Sequence, residues 1–230
     1  MASREKKHDL SNIDLARAAT APEEKHRGII KASAFGDPYS YYRAFKAHLP
    51  SILDLPVGPF GLKSKVTKRQ LSRMIGLSCS KDKKEKRANR YLANALRDFI
   101  RKHKARSAEF IHDPVPLDRA GDRRFWIDYI LQINGKRYIV FIDPRLDKGL
   151  DELARKFVFS ILNTYIRLLD LEHFGDVEFL ILQFEKPAKG KRRVLAHYDD
   201  ETAYMDDKEI GQRIDAVYRI LDEIEIERAA

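Results

Sequence analysis

The chain has 230 residues, with 44 Lys and Arg against 35 Asp and Glu and a formal net charge of +9. Its 43% of apolar residues is enough to bury a core and excludes wholesale disorder, while its apolar runs are far shorter than the ~20 residues of a membrane span. A single cysteine, Cys79, excludes an intramolecular disulfide and a cysteine-built zinc site. With no visible signal peptide, these features indicate a soluble, cytoplasmic protein without membrane association.

The positive charge is concentrated in one stretch of the chain. Residues 63–106 hold sixteen Lys or Arg against three acids, a net charge of +13, whereas residues 199–228 hold eleven acids against four bases, a net charge of −7. A dense positive segment is what phosphate neutralisation requires, so the first stretch favours DNA as a partner. The alternative is a solvated helix face.

The N-terminal third is predicted to be a tail followed by helices. Residues 1–27 are polar and indicate a flexible tail in which a short helix is the one candidate element, and residues 28–80 indicate a helical DNA-binding segment that includes a Pro/Gly-rich turn at 55–61. Thr67 is a candidate N-cap for a short helix that Gly76 would end, and a long basic helix is predicted over 81–102. Two helices joined in this way resemble a helix-turn-helix unit, although an ordinary helical hairpin has the same pattern.

A second region, residues 81–185, alternates strand and helix patterns. Strands are predicted over 108–112, 124–133 and 136–143, then an apolar helix over 150–171 and a strand over 177–184. Asn134-Gly135 predicts a hairpin, and the strand after it is apolar on both faces, which is typical of a central strand. This order predicts an α/β fold with a mixed four- to five-stranded sheet flanked by helices.

The last region, residues 186–230, comprises a basic loop and an acidic helix from about Asp207 to Glu227. The acidic helix has two candidate partners, the basic segment of its own chain and another subunit.

Two carboxylates in the strand region are candidates for chemistry. Asp128 lies within an apolar strand on the same face as Trp126, which is itself expected in the core, and Asp143 ends the partner strand with Arg145 two positions on. Two carboxylate ligands at one sheet end would suit Mg²⁺, or Mn²⁺, with the cation of Arg145 steadying developing charge. The alternative is that Asp143-Pro144 only ends a strand and that Arg145 is paired on the surface.

This pattern resembles the PD-(D/E)XK, restriction-endonuclease-like nuclease superfamily over about residues 81–185, and is most similar to transposon end-nicking endonucleases and the nuclease domains of restriction helicases. The resemblance implies an αβββαβ core in which Asp128 and Asp143 are the two acids and Arg145 stands at the lysine position. An arginine cannot act as a base, because it stays protonated. The resemblance therefore also points to Lys156, on the following helix, as the residue that supplies the amine of the usual lysine from a different position. Family members often carry a further acid on the first helix, which implies Glu85 as a metal ligand and Glu109 as a second choice.

The first hypothesis is therefore a metal-dependent DNA endonuclease that hydrolyses phosphodiester bonds, as a homodimer or with a partner subunit of a transposition, restriction or defence assembly. The side chains predicted to contact DNA are the basic ones of the two helices: Lys68, Arg69, Arg73, Lys83, Lys84, Arg87 and Arg90. Two alternatives stay open: a non-catalytic DNA-binding protein, such as a replication initiator or transcription regulator, and a nuclease-like subunit that has lost its activity.

Overall fold

The computed structural model describes residues 10–35, 41–55, 66–80, 82–110, 114–117, 123–127, 129–145, 149–185, 192–199 and 203–229. The helices are α1 (Asn12–Thr20), α2 (Glu23–Phe35), α3 (Arg43–Ala47), α4 (Leu49–Ile52), α5 (Lys68–Ser78), α6 (Lys83–Lys102), α7 (Glu152–Leu162), α8 (Leu171–Phe174) and α9 (Asp207–Ala229), with a π-helical segment at Asn163–Arg167. The strands are β1 (Arg106–Glu109), β2 (Val115–Pro116), β3 (Arg124–Phe125), β4 (Tyr129–Ile133), β5 (Lys136–Ile142), β6 (Glu178–Glu185) and β7 (Arg193–Tyr198).

Five strands form one mixed sheet in the order β1-β4-β5-β6-β7, and β2 pairs separately with β3. The β5–β6 pair is parallel and is connected through α7, while the other neighbours in the large sheet are antiparallel. Asn134 and Gly135 connect β4 to β5 with φ angles of 52° and 86°, the left-handed conformations that a tight hairpin turn requires. The predicted mixed sheet, hairpin and central position of β5 are thus confirmed.

The sheet separates two apolar cores because its side chains alternate between faces. Ile139 and Phe141 of β5 point into a core that α1, α2, α7 and α9 cover. Tyr138 and Val140 point into a second core that α3 to α6 cover, where Leu92 of α6 is fully buried. Apolar residues on both faces of β5 and β6 therefore make these two strands the centre of the molecule.

The two charged helices lie on opposite faces of the sheet. The acidic helix α9 packs against α1, α2 and α7, and Arg27 of α2 forms ion pairs with Glu223 and Glu227. The basic helix α6 packs with α3, α4 and α5 on the other face. The sequence left two candidate partners for the acidic helix, the basic segment of its own chain and another subunit. Because α9 and the basic helix α6 lie on opposite faces of the sheet, the first of these partners is excluded within the monomer.

The N-terminal segment differs from its prediction. Residues 10–27 were expected to be part of a flexible tail with at most a short helix; a short helix does form, α1 over residues 12–20, but it is not part of a flexible tail, since its Ile13, Leu15 and Ala16 are buried in the first core. The physical reason is that small alanines let α1 approach α2, α7 and α9 closely, so the helix is buried without many large apolar side chains. Residues 1–9 lie outside the described part of the chain.

Three other elements differ from the predicted bounds. The strand expected over 124–133 is two strands, β3 and β4, and Trp126 and Ile127 between them belong to neither. The helix expected over 150–171 changes to a π-helix at Asn163. The short helix α5 has the predicted Thr67 cap, with a full capping box to Gln70, but continues past Gly76 to Ser78. Within the described ranges, no helix is both long enough and apolar enough to cross a membrane.

Candidate functional site

Asp143 lies at the end of β5 and is completely buried. Its Oδ1 accepts a hydrogen bond from the backbone N–H of Arg145 at 3.1 Å. Its Oδ2 accepts from the backbone N–H of Leu150 at 2.9 Å and from Nε2 of Gln183 at 3.1 Å. The Asp143 carboxylate therefore binds both ends of the connection between β5 and α7, and it links this connection to strand β6.

These contacts leave Asp143 poorly suited to bind a metal ion. Burial raises the pKa of the Asp143 carboxyl, and this effect exceeds the opposing effects of the hydrogen bonds from Leu150, Arg145 and Gln183 and of the Arg145 charge. Gly149 also lies close by, since a Cβ there would be only 2.8 Å from Oδ2 of Asp143. In the structure Asp143 thus has a structural role at the strand end, as the alternative to the metal site anticipated.

The Arg145 side chain binds the first helix, α1. Its Nη1 and Nη2 donate to the two carboxylate oxygens of Asp14 at 2.7 and 2.6 Å, and the Asp14 side chain is only 2% exposed. Burial would raise the pKa of Asp14, but the hydrogen bonds and charge of Arg145, helped by Ser11 and Ser33, lower it below its ordinary value. The expected role of Arg145 in steadying a phosphate is therefore replaced by a buried ion pair that anchors α1 to the end of β5.

The sequence analysis missed two residues of this network, and both left a signal. Asp14 follows Ser11 by three positions, and the Ser11 hydroxyl both accepts from the Asp14 N–H and donates to its carboxylate, a pattern typical of a helix start. Gln183 is a polar residue in an otherwise apolar strand, which indicates a buried hydrogen-bond partner. Its Oε1 accepts from Arg155, so the buried amide is satisfied on both sides.

The other predicted catalytic and metal-binding residues that the structure describes do not join Asp143. Glu85 is buried on α6, where its carboxylate accepts from the backbone N–H and the hydroxyl of Ser80 and so caps the preceding turn. Lys156 is half-buried on α7 and is not among the described groups that donate to Asp143, and Glu109 is exposed on β1. Asp128 lies outside the described residues.

Of the residues expected to hold Mg²⁺ or Mn²⁺, the two that the structure describes, Asp143 and Glu85, do not fit such a site. Over the described ranges, no group of three or more His, Cys, Asp or Glu side chains is placed to hold a metal ion. The oxygens of Asp143 and Glu85 already accept hydrogen bonds from protein groups, which would have to be broken before either residue could coordinate a cation.

The basic residues predicted to contact DNA form an exposed surface on α5 and α6. All seven are exposed: Lys68, Arg69, Arg73, Lys83, Lys84, Arg87 and Arg90. Tyr91 lies among them, 40% exposed, with the guanidinium carbons of Arg87 and Arg192 5.4 and 5.6 Å from its ring centroid. We call the seven basic residues, together with Tyr91 and Arg192, the α6 surface.

A cleft of about 440 Å³ opens at the end of the sheet where α1, α3, α4 and the β3–β4 connection meet. Trp126, which was expected in the core, is 54% exposed at this cleft, and its backbone carbonyl accepts a hydrogen bond from Nδ2 of Asn12 at 2.6 Å. The reason for the difference is that Trp126 follows the last residue of β3 and belongs to no strand, so strand alternation does not apply to it. The lining mixes apolar side chains with polar and charged ones: Leu10, Ser11, Asn12, Ile13, Phe45, Lys46, Leu49, Arg124, Trp126, Ile127, Tyr129, Val140, Phe141, Ile142 and Pro144.

Comparisons with known proteins give a consistent result. A family model described as the sliding clamp-binding bacterial toxin SocB matches residues 13–230. The DNA replication inhibitor toxin SocB of Caulobacter vibrioides (strain NA1000 / CB15N) is 26% identical over 220 residues, which are 95% of this chain and 91% of the relative. No solved structure matches the chain.

These matches overturn the nuclease interpretation. The resemblance to the PD-(D/E)XK superfamily was wrong, and with it the assignment as an Mg²⁺-dependent endonuclease or hydrolase in transposition or restriction. The alternative of a non-catalytic helix-turn-helix DNA reader is not supported by them either. The physical reason is visible at Asp143 and Arg145, whose spacing imitates a catalytic motif while their side chains hold α1, α7 and β6 together.

Proposed function

The chain belongs to the SocB family of sliding clamp-binding bacterial toxins, and from this membership we propose that it inhibits DNA replication by binding the sliding clamp. By occupying the clamp, the chain prevents the replication machinery from using it. The proposal requires no catalysis by the chain, since the inhibition comes from binding alone.

The observation that carries the proposal is the extent of the family match. It runs from α1 to the end of α9, so it includes both cores and the whole sheet rather than one shared motif. The relative named as a DNA replication inhibitor aligns over nearly its full length. The structure supports a binding role because the residues that imitate a nuclease motif are used in packing, and because exposed aromatic side chains lie at the surface.

If the chain binds the sliding clamp, it must act where DNA is replicated, so the proposal includes a location in the bacterial cytoplasm. The single cysteine agrees with this setting: Cys79 is a free thiol, and burial raises its pKa, which makes it slow to oxidise. The positive charge of the α6 surface would raise the rate of association with a negatively charged partner.

A binding measurement with purified proteins tests the proposal. The chain is immobilised, and the sliding clamp encoded in the same genome is titrated over it by biolayer interferometry. We expect a dissociation constant of about 1 μM or below. An unrelated acidic protein of similar size serves as the control for charge, and no binding at about a hundred times that clamp concentration would contradict the proposal.

A replication assay shows whether binding inhibits. The chain is added to primer extension by the replicative polymerase, with the clamp and without it. We expect the clamp-dependent synthesis to fall as the chain is titrated, while the slow synthesis without the clamp is unchanged. Equal inhibition of both reactions would show that the target is the polymerase or the DNA and not the clamp.

A further inference from the structure

We propose that the α6 surface binds the phosphate backbone of duplex DNA without reading its sequence. This inference goes beyond the proposed function, because it gives the chain a second ligand besides the sliding clamp. A chain that also holds DNA would be concentrated near the molecule whose replication it is proposed to inhibit.

The positive charge of the α6 surface is not neutralised by the chain itself. In the part of the chain that the structure describes, none of the seven basic side chains forms an ion pair, whereas Arg27 and Arg213 on the other face of the sheet both bind glutamates. The acidic helix α9 also lies on that other face, so the sheet separates it from the α6 surface. Grouped cations repel one another, and an anionic partner would relieve this repulsion.

The acids of α6 and its cap leave this exposed face positive. Glu85 is buried and accepts hydrogen bonds from the backbone N–H and the hydroxyl of Ser80. Asp82 caps the helix by accepting from backbone N–H groups of its first turn, and Asp98 lies about two turns beyond Arg90. Between Asp82 and Asp98, every exposed charged side chain of α6 is therefore a lysine or an arginine.

The basic side chains are spaced to meet a row of phosphates. Lys83, Arg87 and Arg90 stand at i, i+4 and i+7 on α6, so they share one face and span about 10 Å along the helix axis. A DNA duplex carries about six phosphate charges over that length. Arg90 also joins the two helices, because its Nε donates to the carbonyl of Ser72 at 2.9 Å and its Nη2 lies where a Cβ on Gly76 would clash with it. The basic residues of α5 therefore lie beside those of α6.

Arg192, which precedes β7, adds a cation from a different element. Its guanidinium carbon lies 5.6 Å from the centroid of the Tyr91 ring, and its Nη1 is shielded from water with no hydrogen-bond partner among the described groups. An unsatisfied N–H of this kind costs free energy. A rotation of the side chain would bring the N–H to a phosphate oxygen, which is a strong acceptor for guanidinium groups.

The composition of the α6 surface favours duplex DNA over a protein or a single strand. Protein interfaces are depleted in lysine, whereas protein–DNA interfaces are strongly positive. Single-stranded DNA stacks its bases on open aromatic rings, but the ring of Tyr91 already contacts the guanidinium groups of Arg87 and Arg192. Contacts to phosphates carry no sequence information, so this role differs from that of a helix-turn-helix reader.

Fluorescence anisotropy measures this binding directly. A short labelled duplex is titrated with the full chain, in the absence of the clamp, at salt concentrations from about 50 to 200 mM. We expect a dissociation constant of about 1–100 μM at physiological salt and tighter binding below it. The logarithm of the affinity should fall with the logarithm of the salt concentration, with a slope of about −0.9 for each phosphate contacted. Two duplexes of unrelated sequence should bind equally well.

A triple variant of α6 locates the contact. Lys83→Gln/Lys84→Gln/Arg87→Gln removes three exposed cations from the α6 surface. Because each phosphate contact contributes separately to counterion release, we expect the affinity for duplex DNA to fall by about tenfold or more. The slope against salt should become shallower by about 2–3.

A second triple variant is the matched control. Lys31→Gln/Lys208→Gln/Arg219→Gln removes three exposed cations from α2 and α9, on the other face of the sheet, so the net charge of the chain falls by the same amount. Salt screens charges that lie more than about 10 Å from the DNA, so we expect the affinity to change by less than about twofold. Circular dichroism confirms that both variants are folded.

The outcomes separate this inference from the proposed function, because the titration contains no clamp. The inference is overturned if the wild-type chain does not bind the duplex at low salt, or if the two folded triple variants bind it equally well. If a single strand of the same length binds more tightly than the duplex, or labelled polyglutamate binds as tightly, the occupant is a single strand or an acidic protein and the inference is wrong. If the chain binds the duplex as expected but does not bind the clamp, the proposed function fails and this inference stands.

Discussion

Replacing Arg145 with alanine separates a structural role of this residue from a catalytic one. Both guanidinium nitrogens bind the carboxylate of Asp14, at 2.7 and 2.6 Å, across 131 residues of the chain. The variant removes the cation and leaves the carboxylate buried, with the Asp14 side chain only 2% exposed. We expect a large loss of folding stability, since an ionised carboxylate has little access to water at this position.

The magnitude follows from the burial and from the partners that remain. Removing one member of a buried ion pair costs about 3–5 kcal/mol in the free energy of unfolding. Ser11 and Ser33 still bind Asp14 in the variant, and Arg17 stays 3.4 Å from it, so we expect the lower end, about 3 kcal/mol. For a chain of 230 residues this corresponds to a fall in Tm of roughly 6–12 °C.

Urea unfolding followed by circular dichroism measures the loss, and a surface ion pair supplies the matched control. Lys136 pairs with Glu178 at 2.6 Å, but its side chain is 64% exposed, so Lys136→Ala should cost less than about 1 kcal/mol. The double variant Asp14→Asn/Arg145→Ala should be more stable than the sum of the single losses predicts, with a coupling energy of about 1–3 kcal/mol.

The pH dependence supplies an independent check. The pKa of Asp14 lies below its ordinary value of 3.8 in the folded chain, because Arg145 and the serines outweigh the effect of burial. The stabilisation from ionised Asp14 is therefore complete above pH 3.8 and is lost as the pH falls through the lowered folded pKa. The difference between wild type and Arg145→Ala should shrink over that acid range. Two results would refute the role of Arg145 in anchoring α1. One is a loss of folding stability in Arg145→Ala no larger than the loss in Lys136→Ala, and the other is a coupling energy near zero between Asp14 and Arg145.

Three further substitutions, with Gly28→Ala as a control for the second of them, test local parts of the fold by thermal unfolding. Asp143→Asn should lower the free energy of unfolding by about 1–3 kcal/mol, because the new amide would place its own N–H donor against an N–H group, of Leu150 or Gln183, that donates to the carboxylate. An unchanged Tm would show that these hydrogen bonds do not hold the connection between β5 and α7. Gly149→Ala should also destabilise by about 1–3 kcal/mol, since its Cβ would lie 2.8 Å from Oδ2 of Asp143, whereas Gly28→Ala, in open space on α2, should stabilise slightly. Thr67→Ala should cost about 1 kcal/mol through loss of the capping box with Gln70, and equal stability would mean that α5 begins without it.

The false nuclease motif shows why spacing alone did not identify the site. Asp143 and Arg145 stand two positions apart at a strand end, which the sequence shows, but a catalytic pair must also point into a shared, accessible space. In the structure one side chain is turned towards Leu150 and Gln183 and the other towards Asp14. Each of these partners comes from a different element, and nothing local to residues 143–145 indicates them.

The features that depend on neighbouring residues could be predicted from the amino-acid sequence. Asn134 and Gly135 tolerate positive φ, and Thr67 carries a hydroxyl that can cap a helix, so the hairpin and the start of α5 follow from local chemistry. The apolar residues on both faces of β5 likewise placed that strand in the centre of the sheet.

The features that depend on distant residues became visible only in the folded chain. The helix α1 is buried because α2, α7 and α9 cover it, and Arg145 is structural because Asp14 lies beside it after folding. Trp126 is exposed because it lies between β3, which pairs with β2, and β4 of the five-stranded sheet, and belongs to neither strand, although its neighbours in sequence were predicted to form one strand. A side chain's neighbours in space set its burial and its partners, and those neighbours are chosen by the packing of the whole chain.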